Sequence, residues 1–147
     1  TAKNNSQDVK EVIENLKNDD RDEFKSHKEV FRPWGSFESL IITDEYQVKK
    51  LTVYPLQKLS VQMHYKRSEH WVVVKGSAKI TNGDNTFNLE KNESTFIPVE
   101  TIHVIENEST KENLEIIEVQ TGTYFGEDDI IRFEDRYGRI DDNENKK

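Results

Sequence analysis

Gln62, His64, Glu69 and His103 carry side chains that can bind a metal ion, in a spacing that suits neighbouring β-strands. Gln62 and His64 lie two apart, so on a strand they share a face. Glu69 follows after a short break, and Gly76 closes the strand that Glu69 opens. His103 stands on a later predicted strand, beyond Phe96-Ile97-Pro98. Two imidazoles, one carboxylate and one amide oxygen form an N2O2 set. Such a set suits zinc, manganese, iron, cobalt or nickel, and ligand softness does not choose among them. Any one of these residues alone reads as a surface carboxylate or a hydrogen-bonded histidine. The four in this spacing read as a metal site.

The elements that must position them are mostly strands. Residues 6–18 predict a helix, because Val9, Val12, Ile13 and Leu16 recur at helical spacing with Asn5 or Ser6 as cap. A charged connector runs to Lys28. From Phe37 the period changes to two. Nine runs then read as strands: 37–42, 47–54, 59–64, 69–74, 78–81, 86–89, 94–97, 103–106 and 114–120. Asn82-Gly83-Asp84-Asn85 marks a hairpin. Short strands at close spacing predict a mainly antiparallel barrel or sandwich. Residues 126–139 read as a short helix and an arm, and 140–147 as a disordered tail. The expected division is 1–28 helix and linker, 29–139 β-domain, 140–147 tail.

Composition narrows the function. The 147 residues suit one domain with a real core. A net charge of −8 argues against a nucleic-acid partner, and any anionic ligand needs a local basic patch. No apolar run reaches the roughly 18 residues that span a bilayer, so no membrane partner is expected. There is no cysteine, hence no disulfide and no thiolate ligand. These features together set cytoplasmic as the expected location. The first residue is Thr1 rather than Met, which leads to the expectation of a piece cut from a longer polypeptide.

Written out, the candidate ligands fall in Q-x-H-x4-E-x6-G and then N-x5-P-x-E-x2-H-x3-N. This resembles the paired motifs of the cupin superfamily, with Gln62 at a position often held by histidine and with Asn92 and Glu100 at glycine positions. Further stretches sharpen the resemblance: Arg32-Pro33-Trp34-Gly35-Ser36-Phe37, Leu59 to His64, Arg67 to Val73, Ser94 to Pro98, Glu115 to Gly122 and Gly126 to Arg139. Together these are similar to the type II mannose-6-phosphate isomerase domain. That domain is the C-terminal part of bifunctional mannose-1-phosphate guanylyltransferase/mannose-6-phosphate isomerases, which serve GDP-mannose and polysaccharide biosynthesis. The N-terminal Gln7 to Ile13 resembles the segment that joins the two domains there.

The resemblance implies a cupin fold, a double-stranded β-helix or jelly-roll barrel, with an N-terminal helix and a C-terminal arm. It implies a metal-dependent isomerase interconverting mannose 6-phosphate and fructose 6-phosphate by proton transfer between C2 and C1 through a cis-enediol. The implied metal ligands are Gln62, His64, Glu69 and His103, with zinc first and cobalt, manganese, nickel or iron as alternatives. Glu69, His70 and Arg67 are the candidate catalytic groups. Arg67, Lys66 and Arg132 are the candidates for the phosphate. A homodimer is expected from the exposed edges of such barrels. No guanylyltransferase activity is expected from this chain alone, because it holds no glycine-rich phosphate loop. Where relatives carry extra histidines, this chain has Tyr65 and Lys66, and it has Val104 at a basic position. The competing expectation is a non-catalytic sugar-phosphate-binding or dimerisation module.

Overall fold

Polar and apolar residues alternate along most of the strands, and this period builds two facing antiparallel sheets. The computed structural model describes residues 29–139. The expected helix over 6–18, its connector and the 140–147 tail lie outside the described residues. In chain order the strands are β1 Glu29–Arg32, β2 Gly35–Ile42, β3 Tyr46–Val53, β4 Val61–Met63, β5 Arg67–Lys75 and β6 Ala78–Asn82. They continue as β7 Asn85–Leu89, β8 Ser94–Ile97, β9 His103–Glu106, β10 Leu114–Gly122 and β11 Ile131–Glu134. One sheet runs β1-β2-β3-β10-β5-β8 and the other β11-β4-β9-β6-β7. All nine expected strands are present. Two more, β1 and β11, fall in segments read as connector and arm, and a 3-10 turn at Glu127–Asp129 stands for the expected short helix.

The inner face divides along the strands. On β10, Leu114 and Ile116 share a face with Glu118 and Gln120, and all four are buried. On β5 the same face carries Arg67, Glu69, Trp71 and Val73. Cross-strand register joins these into rows. Leu114 pairs with Val53, and Ile116 with Leu51 and Val73, which packs an apolar end. Gln120 pairs with Glu69, and Glu118 with Trp71 and Lys49, which makes a polar end. The apolar end merges with Ala78, Ile80, Leu89 and Ile105 of the second sheet into one core. Each fully buried Val, Leu or Ile of this core contributes about 1.5–3 kcal/mol. Asn107 ties the layers together: its amide donates to the carbonyls of Val53 (2.9 Å) and Glu112 (2.8 Å).

Turns set the register. Gly83 takes φ 61 in the two-residue loop between β6 and β7, as the Asn-Gly-Asp-Asn signal predicts. The two residues at glycine positions of the second motif are both left-handed, Asn92 at φ 74 and Glu100 at φ 59. Asparagine tolerates that region, whereas glutamate carries a steric cost. The cost at Glu100 is repaid locally, because its N–H donates to the carbonyl of His64 at 2.7 Å.

Relief of that strain is measurable. Glu100→Gly should stabilise the fold by about 0.5–1 kcal/mol and raise the thermal midpoint in circular dichroism, while Glu100→Ala, equally strained, should not. An unchanged midpoint in the glycine variant would show that the backbone there carries no strain.

Candidate metal centre

Strand geometry brings three of the four candidate ligands together. Glu69 lies on the inner face of β5, His103 opens β9, and His64 follows β4 by one residue. One donor atom from each lies within 4.8 Å of the others, and all three residues are buried. Glu69 Oε1 is 3.0 Å from His64 Nε2, and its Oε2 is 3.6 Å from His103 Nε2. Gln62 pairs directly with His103 across β4 and β9, so it shares their face. Its Oε1 accepts the Ser60 hydroxyl at 3.0 Å.

The hydrogen bonds at the far side of each ring decide what this cluster can hold. His64 Nδ1 faces the carbonyl of Asp129 at 3.1 Å, and His103 Nδ1 faces that of Thr101 at 2.8 Å. A carbonyl can only accept, so each Nδ1 carries the proton and each Nε2 offers a lone pair. Those two Nε2 atoms are buried without a hydrogen-bond partner and are aimed at a carboxylate. Lone pairs facing an anion repel unless a cation lies between them. Burial pushes His103 down from the usual histidine range, partly offset by the Glu69 charge, which keeps the ring neutral. A divalent metal therefore fits the donor set, and second-shell carbonyls on both histidines are the support such ligands need.

Glu69 is also held from the other side. The Trp71 indole N–H donates both to Glu69 Oε2 (3.0 Å) and to Glu118 Oε1 (3.1 Å). The Gln120 amide donates to Glu118 Oε2 at 3.0 Å and more weakly to Glu69 Oε1 at 3.4 Å. Burial pushes the Glu69 carboxyl up, but positive charge on the His64 and His103 side more than reverses this and holds it well below its usual range; with both imidazoles neutral, that charge is the one a bound cation would supply. Glu118 goes the other way: burial first, then the neighbouring Glu69 charge, push it well above its usual value. The two acids of the pair are thus pushed in opposite directions.

In front of this pair is a small cleft of about 70 Å³, open to solvent. Glu69, Glu118, Gln62 and Gln120 line it, with Trp34 and Phe37. So do five cations, Arg32, Lys49, Arg67, Arg132 and Arg139, in a chain of net charge −8. Arg139 is engaged by Asp135 at 2.7 Å, and Arg32 by Glu127 at 3.4 Å. Arg67, only 3% exposed, donates to the Gly126 carbonyl at 3.1 Å, but its Nε makes no hydrogen bond. Arg132 Nε is likewise buried without a partner. Arg132 pairs with Gln62 across β11 and β4, next to the Gln62–His103 pair. Lys49 lies 4.7 Å above the Phe37 ring.

Two sequence candidates fall outside this arrangement. His70 follows Glu69 on a strand, so it points outward, where it is exposed and packs edge-on against Phe96. Lys66 is exposed, with its ammonium 5.0 Å from the Tyr124 ring. Neither lines the cleft. Glu118, Gln120 and Lys49 were not singled out from sequence. A signal for the first two exists, since Leu114, Ile116, Glu118 and Gln120 share one parity on a strand. Trp71 fills the barrel, as its burial preference predicts.

Comparison with known proteins places the domain. The profile of the family described as mannose-6-phosphate isomerase C-terminal matches residues 19–135. The chain belongs to that family. It is 51% identical over 138 residues to a mannose-1-phosphate guanylyltransferase of Escherichia coli, covering 94% of this chain and 29% of that protein. It is 51% identical over 137 residues to the alginate biosynthesis protein AlgA of Pseudomonas aeruginosa, covering 93% of this chain and 28% of that one. The chain thus spans less than a third of the length of these relatives. The fold is that of the cupins. An RmlC-like cupin of Shewanella frigidimarina superposes with a TM-score of 0.61 at 16% identity, covering 71% of this chain and 89% of that one. Among the described residues, no helix is long and apolar enough to cross a membrane.

The two acids separate in experiment. Glu118→Gln should leave metal uptake intact, whereas Glu69→Gln should abolish it in equilibrium dialysis. A carboxyl whose folded value is raised contributes stability that is whole below its ordinary value of 4.5 and lost as pH rises through the folded value. Melting midpoints measured upward from pH 4.5 should therefore decline more in the unaltered chain than in Glu118→Gln. Parallel curves would show that Glu118 is ionised in the folded protein.

Proposed function

We propose that this domain interconverts mannose 6-phosphate and fructose 6-phosphate with the aid of a divalent metal. The observation that carries this reading is the buried His64–Glu69–His103 cluster set against a cationic cleft in an acidic chain. Family membership supports it, and relatives named for guanylyltransferase activity and alginate biosynthesis agree with a role in mannose metabolism.

His64, Glu69 and His103 would hold the metal, with the Gln62 oxygen as a further donor on the same face. Zinc is the first choice for two imidazoles and a carboxylate. When bound, the metal supplies Lewis-acid polarisation of the sugar's carbonyl and hydroxyl oxygens. Arg67 and Arg132 would hold the phosphate, each with a buried guanidinium nitrogen that makes no hydrogen bond, that of Arg67 lying 3.7 Å from Glu69. Lys49 of β3 adds a third cation, from the same sheet as Arg67 and opposite Arg132. Glu118, the buried carboxyl beside Glu69 that does not hold the metal, would carry the proton between C1 and C2, taking it from one carbon as the carboxylate and returning it to the other as the acid. Trp71 and Gln120 fix the positions of both carboxyls. Leu59, Leu51 and Trp34 give the cleft an apolar flank that limits water near the reacting carbons.

A coupled assay of mannose 6-phosphate conversion tests the reading. Turnover should be lost on chelation with EDTA and restored by added zinc, cobalt or manganese. Arg132→Gln should raise KM about tenfold or more, as expected for one charge-assisted hydrogen bond of about 1.5–3 kcal/mol. Folded protein with no turnover under any metal would instead indicate a binding module.

A further inference from the structure

One short turn touches both halves of the cleft from far along the chain. The backbone carbonyl of Asp129 takes the His64 Nδ1–H at 3.1 Å. The same residue's carboxylate accepts the N–H groups of Tyr65 (3.2 Å) and Lys66 (3.0 Å), the two residues after His64. Asp129 is 8% exposed, although it sits in an acidic, otherwise exposed turn with Glu127 and Asp128. Three residues earlier in the same turn, Gly126 accepts from Arg67. Within the turn, Asp129 N–H returns to the Gly126 carbonyl at 3.1 Å.

We infer that Asp129 is the positioning residue for the metal ligand His64, clamping it through the carbonyl behind its ring and through the two amides that follow it. This rests on the metal-centre reading above. The physical reason is a division of labour within one residue. The carboxylate anchors the turn to the backbone after β4. That anchorage holds the carbonyl where it selects the Nδ1–H form, so Nε2 keeps its lone pair toward Glu69. It also accounts for Tyr65 and Lys66. Their side chains are exposed and their contribution is two backbone amides, so the side chains at these positions are free to vary. His103 does not depend on the turn, because its Nδ1 uses the carbonyl of Thr101.

The test compares Asp129→Ala and Asp129→Asn with the unaltered chain and with Asp128→Ala, a change at the exposed neighbour. Zinc affinity is read by competition with a chromophoric chelator, and imidazole states by long-range proton–nitrogen NMR. Asp129→Ala should weaken zinc binding about 10–100-fold. Asp129→Asn, which keeps one oxygen acceptor, should fall between it and the unaltered chain and serves where the alanine variant does not fold. His64 should lose its fixed Nδ1–H signal while His103 keeps its own and Asp128→Ala changes nothing. Zinc affinity within twofold of the unaltered chain in both variants would overturn the inference, as would His64 and His103 loosening together. If the unaltered chain itself takes up no zinc, the metal-centre reading falls and this one with it.

Discussion

An ionised carboxylate in the middle of a barrel is the constraint around which this domain is arranged. Removing a carboxylate from water costs several kcal/mol even after relaxation. Glu69 is 2% exposed, so its environment must return that energy. An indole N–H and an amide donate to it from β5 and β10, the Arg67 guanidinium lies 3.7 Å away, and two imidazoles from β9 and the end of β4 flank the place where a cation would complete the balance. Each has a second attachment that fixes it: Trp71 and Gln120 through Glu118, Arg67 and the imidazoles through carbonyls. Glu118 is pushed up by its burial first and then by the charge of Glu69, because two adjacent buried carboxylates repel. The asymmetry of the pair is thus a result of burial and packing.

The same constraint explains why the barrel is polar at one end. Strands β3, β5 and β10 each carry an inner face that changes character part-way along, with Leu51 and Val53, Trp71 and Val73, and Leu114 and Ile116 at one end. The apolar half contributes the burial that stabilises the sheets. The polar half spends part of it on bringing buried charges together, in an arrangement that hydrophobic residues of similar size would match or exceed in stability.

Much of this was legible in the sequence, because the relevant signals are periodic or local. The Gly83 hairpin follows from turn chemistry, and the metal cluster from ligand types at strand spacing. Strands β1 and β11 were not read, since each has four residues and both lie among charged residues that mimic a connector. His70 was placed in the site because adjacent strand residues differ only in parity, and a one-residue step exchanges inside for outside. Lys49 and Asp129 were out of reach for another reason. Nothing local marks a lysine or an aspartate that acts on a strand some 65 residues away, and only the sheet register brings them to the cleft.

The pairing order of the sheets has a temporal consequence. Strand β10 lies between β3 and β5, and the Glu127–Asp129 turn rests on the residues that follow β4. Neither contact can be made by neighbouring segments as they emerge, and closing such long loops delays folding more than it weakens the result. The complete pocket, with Glu118 and Gln120 beside Glu69, therefore requires β10 to be in place between its two neighbours. A chain folded only as far as β9 would have both imidazoles and the carboxylate in its sequence, but its main sheet would still be split at the gap that β10 fills.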